Sequence, residues 1–400
     1  MSPQTQPDAV IEAVATATPT PRPIEVVRWS FAKLVAFRFC FLYFGLFCIF
    51  TQIFFSFISF PALELPDPGT LSPIRQAVSW TAAHVFGVHN QLVSTGSGSG
   101  DKTYDWVLDF CILITAVAGA ALWTALDRKR ANYKKHYAWF RIAIRFALAS
   151  QLVVYGMSKV VPLQMPFPFL TRLLEPYGNF SPMGVLWSFI GASPAYETCV
   201  GMAELLGGVL LVLPRTTLLG AIIAAFDMTQ VFLLNMTYDV PVKLFSFNLL
   251  LLSIFLLAPD LRRLANVLLL NRAVEPSDPA PLFRKNRWNR IALVVQIALG
   301  CWLVGLNIYG DQVSWKQYGG GRPKSELYGI WNVQHATTDG HTAVPPSHQF
   351  RRLIFDFPQL LSVQNQDNTF SAYGAGIDAK NNRLTLTNRG RAGQPAGNFT

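Results

Sequence analysis

The chain has 400 residues, of which 51% are hydrophobic and only 14% charged, with a net charge of +10 and a mean hydropathy of +0.29. That balance excludes the two or three soluble domains its length would otherwise suggest, and it is the profile of a membrane protein. No basic face is interleaved with aromatics, so nucleic acid is not expected as a partner; the positive charge reads as a topology signal plus attraction to anionic lipid.

Residues 1–23 are rich in Pro, Thr and Ala and have no apolar core. They read as a disordered cytoplasmic tail rather than a cleavable signal peptide. A span needs about 20 apolar residues to cross a hydrocarbon core of roughly 30 Å. The block 24–136 supplies two, Phe39–Phe60 and Tyr104–Leu126, joined by a long outer loop in which IRQAVSWTAAHVFGVH has the look of an interfacial helix. The loop ends in STGSGSGDKTYDW. This superficially resembles a phosphate loop, but no Walker lysine follows and no strand precedes it, so it reads as a linker in which Asp101 or Thr103 caps the second span.

The core block, 137–260, holds four more spans: Tyr137–Val160, Ala195–Leu213, Thr216–Met236 and Val242–Ala258. Between the first two lies a Pro- and aromatic-rich connection whose run MGVLWSFIGA is too short to cross, and which is expected at the surface or as a re-entrant helix. A basic cytoplasmic linker, 261–290, leads to a seventh span, Ile291–Tyr309. Residues 310–400 change character: LYGIWNVQHA, FRRLIFDF, LLSVQ, TFSAYGAGI and RLTLT are separated by turn-forming TTDG, QNQDN and DAKNN, which predicts a small extracytoplasmic β-domain of about five strands. The fold class expected is therefore an all-α polytopic membrane protein of about seven helices with a small C-terminal β-domain.

Lys and Arg concentrate in DRKRANYKKH (127–136) and in 260–290, which places those loops and the N-terminus in the cytoplasm and the C-terminal segment outside. All five cysteines fall inside predicted spans without a CxxC, and no histidine pair lies at bilayer depth, so neither a disulfide framework, a haem nor a metal motif is indicated.

Polar residues inside the spans carry the candidate chemistry. At 100° per residue, Arg141, Arg145, Gln151, Tyr155 and Lys159 share one sector of the third span. On the fourth, Glu197, Gly201, Glu204 and Gly208 share a face on which the glycines permit close helix approach, whereas Gly220 on the next span is given no such role. Asp227 lies about 16 Å up from the inner end of its span and Glu204 about 14 Å down from the outer end, which brings both carboxylates near the midplane. No lysine or arginine is expected at that depth, leaving at least one acid neutral. Two readings follow: a polar cavity in which Glu204 or Asp227 relays protons beside a bound small molecule, or an acid neutralised by Arg145 or Lys159 to fix helix register. At the outer edge Lys159, Glu197, Asp239, Lys243 and Asp109 fall near one level, either as a polar ring over the mouth or as a snorkelling Lys243 beside a solvated Asp239.

The stretches RFALASQLVVYGMSKV, PYGNFSPMGVLWSFIGASPAYE, GMAELLGGVLLVLPRTTLLGA and NMTYDVPVKLFSFNLLLL resemble the DoxX-like membrane proteins, over residues 137–260. The looser STGSGSGDKTYDW and LYGIWNVQ resemble longer bacterial members with extra helices and an outer tail. The family's early arginine matches Arg141 or Arg145, its GxxK matches Gly156 with Lys159, and its Glu before glycines matches Glu204 with Gly207 and Gly208. The resemblance implies a bacterial inner membrane and a quinone-linked oxidoreductase component working with a membrane-protein partner subunit. The alternatives are a small-molecule or proton-coupled transporter, and a membrane-complex assembly or sensor protein without catalysis. Arg145, Gln151, Tyr155, Lys159, Glu197, Asp239 and Lys243 are then the candidate ligand-binding residues.

Overall fold

A computed structural model of the chain describes residues 28–53, 55–57, 66–94, 100–275, 281–334, 350–378, 380–381, 383–388 and 398–399. The tail expected over 1–23, the glycine-serine run at 95–99 and the TTDG turn at 337–340 lie outside the described residues.

Helix α1 (Phe31–Phe50) starts where the Ser30 side chain accepts from the Lys33 amide, and gives way at Thr51. The span expected over Phe39–Phe60 is therefore shifted toward the N-terminus. Hydropathy places Arg38 outside a span, yet this residue is 1% exposed, because its guanidinium donates to Tyr133 Oη, to Thr124 Oγ1 at 2.9 Å and to Asp127 O at 2.8 Å. A fully satisfied arginine can stay inside a helix that a solvation rule would end there. Helix α2 (Ile74–Phe86) forms in the loop as expected and stops at Gly87, whose left-handed φ of +67° favours a residue without a Cβ. Helix α3 (Thr103–Leu126) is capped at Lys102, whose amide donates to Asp105. Asp101, one of two caps expected for α3, instead accepts from Lys243 and Leu244 amides at 2.9 Å each and so caps a helix far along the chain.

Helix α4 (Lys134–Val160) is followed by α5 (Leu170–Leu174) and the short α6 (Pro182–Gly191), then by α7 (Pro194–Val212) and α8 (Thr217–Thr237). Helix α9 (Lys243–Leu257) tightens into a 3-10 turn at Ala258–Asp260, where Pro259 offers no amide hydrogen, and continues as α10 (Leu261–Leu268). Helix α11 (Asn286–Gln317) extends beyond the expected Ile291–Tyr309 at both ends. Seven of these are long and apolar enough to cross a membrane: α1, α3, α4, α7, α8, the continuous Lys243–Leu268 and α11. The chain is a multi-pass membrane protein with a small antiparallel sheet at its C-terminus.

Helix α4 is the hub. It packs along α7, α7 along α8 and α8 along α9, which returns to α4; α1 and α3 pair beside this unit and α11 leans on α4 and α7. Burial follows, with 72% of the apolar window of α4 inside the protein against 17% of that of α11, so most of α11 is left to lipid. The two ends of the bundle are distinct. At the basic end Trp29 N donates to Ala131 O and Arg141 pairs with Asp260; at the other Gly100 N donates to Pro241 O.

The tail forms a six-stranded meander, β1 (Gly329–Asn332), β2 (Phe350–Phe357), β3 (Leu360–Asn365), β4 (Phe370–Asp378), β5 (Arg383–Asn388) and β6 (Asn398–Phe399), every neighbour antiparallel. About five strands were expected; the two-residue β6 is too short to carry an alternation. QNQDN is a turn as expected, with Asn368 at φ +66°. The sheet meets the bundle at the end away from the basic loops, where Asp356 accepts from Leu170 N at 2.8 Å and from Arg322 Nη2 at 2.7 Å, and the Arg322 guanidinium lies over Phe169 and Phe357.

Candidate functional site

Two glycines create the central contact. A Cβ at Gly156 would lie 2.7 Å from Leu205 N, and one at Gly201 would lie 2.6 Å from Gly156 O and 2.7 Å from Lys159 Cβ, so α4 and α7 touch backbone to backbone. The lysine stem runs through the space that the missing side chain leaves. Lys159 Nζ thereby reaches both carboxylate oxygens of Glu204 at 2.5 Å, with Lys159 5% and Glu204 1% exposed. The expectation that no basic group lies at the depth of Glu204 is corrected: a flexible four-carbon stem carries the ammonium away from its own Cα, which axial counting ignores. Of the two cations weighed as partners, Lys159 neutralises Glu204. Arg145 instead donates to Leu211 O at 2.9 Å and Val212 O at 2.7 Å, satisfying the last carbonyls of α7.

Asp227 is 9% exposed and lies within electrostatic reach of both Glu204 and Lys159. Its Oδ2 has no hydrogen-bond partner among the described residues. The structure thus brings two carboxylates to one lysine. Glu197, at 0% exposure, accepts from Met165 N at 2.8 Å through one oxygen, while its other oxygen has no partner among the described residues.

The polar ring expected at the mouth resolves into separate contacts. Asp239 pairs with Lys243 at 2.8 Å, and Lys243 also approaches Asp101 at 3.8 Å. Asp109 is bound by Tyr43 Oη, 3.0 Å from Oδ1, and the same hydroxyl lies 2.8 Å from Asn248 Oδ1. Lys159 points to Glu204 rather than to this level.

The open space lies beside the buried pair rather than over it. A cavity of about 270 Å³ is bounded by α1, α3, α9 and the Tyr155 side of α4. Phe47, Phe50, Leu108 and Phe245 form its apolar walls, and Lys102, Asp105 and Asp109 line it as polar groups. Burial pushes the Asp67 carboxyl, in the loop at the rim, upward, with Lys102 opposing. On the α4 side Gln52 Nε2 donates to Gln151 Oε1 at 2.9 Å and to Tyr155 Oη at 3.1 Å. Tyr155 accepts there, and its own proton is committed to no acceptor among the described residues. Gln151 and Tyr155, expected as ligand-binding residues, face this space through Gln52, a residue sequence reasoning did not single out. Nor did it find Tyr43 and Asn248, although an asparagine inside the apolar FNLLLLS was a visible signal. No group of three or more metal-ligating side chains occurs among the described residues.

A curated protein of Bacillus subtilis (strain 168), the uncharacterized protein YwoB, is 34% identical to this chain over 123 residues, covering 78% of YwoB. The chain belongs to the YwoB family. The shared stretch is 31% of the present chain, so most of its length lies outside the family match. No family model matches the chain, and no solved structure matches it.

Proposed function

We propose that the chain is a DoxX-like protein of a bacterial inner membrane that binds the headgroup of a lipid-soluble quinone and serves, with a membrane-protein partner subunit, a quinone-linked oxidoreductase. The observation that carries this reading is the Tyr155 wall of the cavity: a hydroxyl with an uncommitted proton, positioned by Gln52, among aromatic and aliphatic side chains. A quinone ring is flat and apolar and presents carbonyl acceptors, so such a donor suits it. A space of about 270 Å³ admits a headgroup and leaves the tail to lipid. The DoxX-like unit is assigned to 137–260 on the stretches that carry the resemblance. The block 24–136 contributes the other cavity walls; of the cytoplasmic linker assigned to 261–290, residues 261–268 continue the sixth span's helix and 286–290 begin α11; 291–309 lies in the seventh span, and 310–400 is assigned outside the membrane.

Two measurements test this. Protein purified in mild detergent should carry a quinone identifiable by mass spectrometry after organic extraction. Tyr155→Phe should lower its content or affinity about three- to tenfold, the worth of one hydrogen bond, with the melting temperature unchanged because Gln52 keeps Gln151 as an acceptor. Quinone-free wild-type protein, or equal quinone in the variant, would sink the reading. For topology, Lys380→Cys, in an exposed turn of the sheet, should react with an impermeant thiol reagent on spheroplasts. Reaction only after lysis would invert the assignment.

A second reading, proton-coupled transport of a small molecule, rests on the unpartnered Asp227 oxygen beside the Lys159–Glu204 pair. It predicts uptake of labelled substrate into sealed vesicles that Asp227→Asn abolishes.

A further inference from the structure

At the basic end the carboxylate of Asp260 is outnumbered. It lies 3.5 Å from Arg141 Nη2 of α4 and 2.7 Å from Arg263 Nη1 of α10, and Arg141 also donates to Leu256 O at 3.3 Å. One acid holding two arginines leaves a unit of positive charge. It also leaves donors: the Nε atoms of Arg141 and Arg263 are both sheltered from solvent and reach no acceptor among the described residues. A guanidinium has five donors arranged to grip an oxyanion, and sheltered donors left empty are costly.

The surroundings of this pair are apolar on one side and basic on the other. Helix α10 exposes Leu261, Val267 and Leu268, and Leu269 (81% exposed) and Leu270 follow it; Arg262 and Arg272 are exposed on the same segment. After α10 the chain reverses at Asn271, with φ +47°, and Arg272 N donates to Asn266 O, which brings that arginine back to the helix's C-terminal end. Exposed Trp139 of α4 stacks edge-on with Phe283, as interfacial aromatics do where headgroups meet acyl chains.

We infer that the Arg141–Asp260–Arg263 cluster and α10 form a binding site for one anionic phospholipid, whose phosphate approaches the part-exposed side chains of Arg141 and Arg263, 27% and 32% accessible, while an acyl chain covers the exposed leucines. A soluble phosphate would leave the leucines uncovered. A zwitterionic lipid brings its own cation into a region already in positive excess, so a headgroup of net negative charge is favoured.

The test uses the full chain, delipidated in detergent and titrated with phosphatidylglycerol or phosphatidylcholine, with bound lipid counted by native mass spectrometry. One phosphatidylglycerol per chain should bind in preference to phosphatidylcholine, and Arg263→Gln should weaken it about tenfold, as expected for a charge-assisted contact. Leu268→Gln with Leu269→Gln, which leaves every ion pair in place, should also weaken it, and Lys380→Gln on the sheet should not. The leucine variant decides the matter if Arg263→Gln fails to fold. Equal binding of the two lipids, wild-type affinity in the leucine variant, or equally effective competition by inorganic phosphate would overturn the site as a lipid site.

Discussion

Glu204→Gln should destabilise the folded bundle by about 3–5 kcal/mol, the cost of stranding one member of a fully buried ion pair. The amide keeps the shape of the acid but leaves the Lys159 ammonium, 5% exposed, without its counter-charge between two helices that touch through glycine. Unfolding in detergent, followed by tryptophan fluorescence, measures this directly. Asp227→Asn is the informative contrast. Its carboxyl makes no hydrogen bond through Oδ2 and stands beside Glu204 rather than in the ion pair, so the amide should change stability by less than about 1 kcal/mol. A loss below about 1 kcal/mol for Glu204→Gln would mean that Lys159 swings to Asp227, and the pair would then be a switch rather than a fixed strut.

Gly201→Leu should be at least as damaging, at or above the ~3 kcal/mol upper end of overpacking costs. Its Cβ alone would stand 2.6 Å from Gly156 O and from Val160 N, which are backbone atoms of α4 that cannot rotate aside. Gly220→Leu should be comparably harmful, because a Cβ there would lie 2.8 Å from Leu211 N and 3.0 Å from Leu210 C of α7. This corrects the sequence expectation that Gly220 has no special face: helix α7 is approached closely on two sides, by α4 through Gly201 and by α8 through Gly220. Gly45, with nothing within 4 Å of its would-be Cβ, is the matched control. Equal yields of folded protein for all three leucine variants would remove the close-contact argument.

The helices were legible because apolar length is a local property, and four of the seven spans agree with the sequence reading to within a few residues at each end. The first span was misplaced because Arg38 reads as a stop until its partners on α3 and α4, far away in sequence, are known. The polar stripe of α4 was legible from helical periodicity, and Gln151 and Lys159 are indeed buried. What periodicity could not supply was partnership. Depth measured along a helix axis says nothing of a lysine's reach, so the sequence left two readings open, an acid unpaired at the midplane or one neutralised by Arg145 or Lys159, and the Lys159–Glu204 contact selects the second for Glu204. The cavity was displaced for a related reason: α1, α3 and the loop that joins them lie outside the block that carries the recognisable stretches, yet together they provide most of its wall.

In the sheet, each strand pairs only with the strand before and after it in the chain, so mean sequence separation between its partners is short. Topology of this kind is the fast-folding end of the β-sheet range, since the central hairpins, β2–β3, β3–β4 and β4–β5, each close a loop of two to four residues. The tie from β2 to the far-off Leu170 amide is of the opposite sort, joining residues 186 positions apart. Assembly therefore divides into two events on separate clocks: the tail can reach its own native pairing strand by strand as it is synthesised, and its seating on the membrane helices through Asp356 waits until α5 and Arg322 have been brought together. A mutation at Asp356 would delay or abolish the second event and leave the first untouched, yielding a folded sheet tethered to a folded bundle by α11 alone.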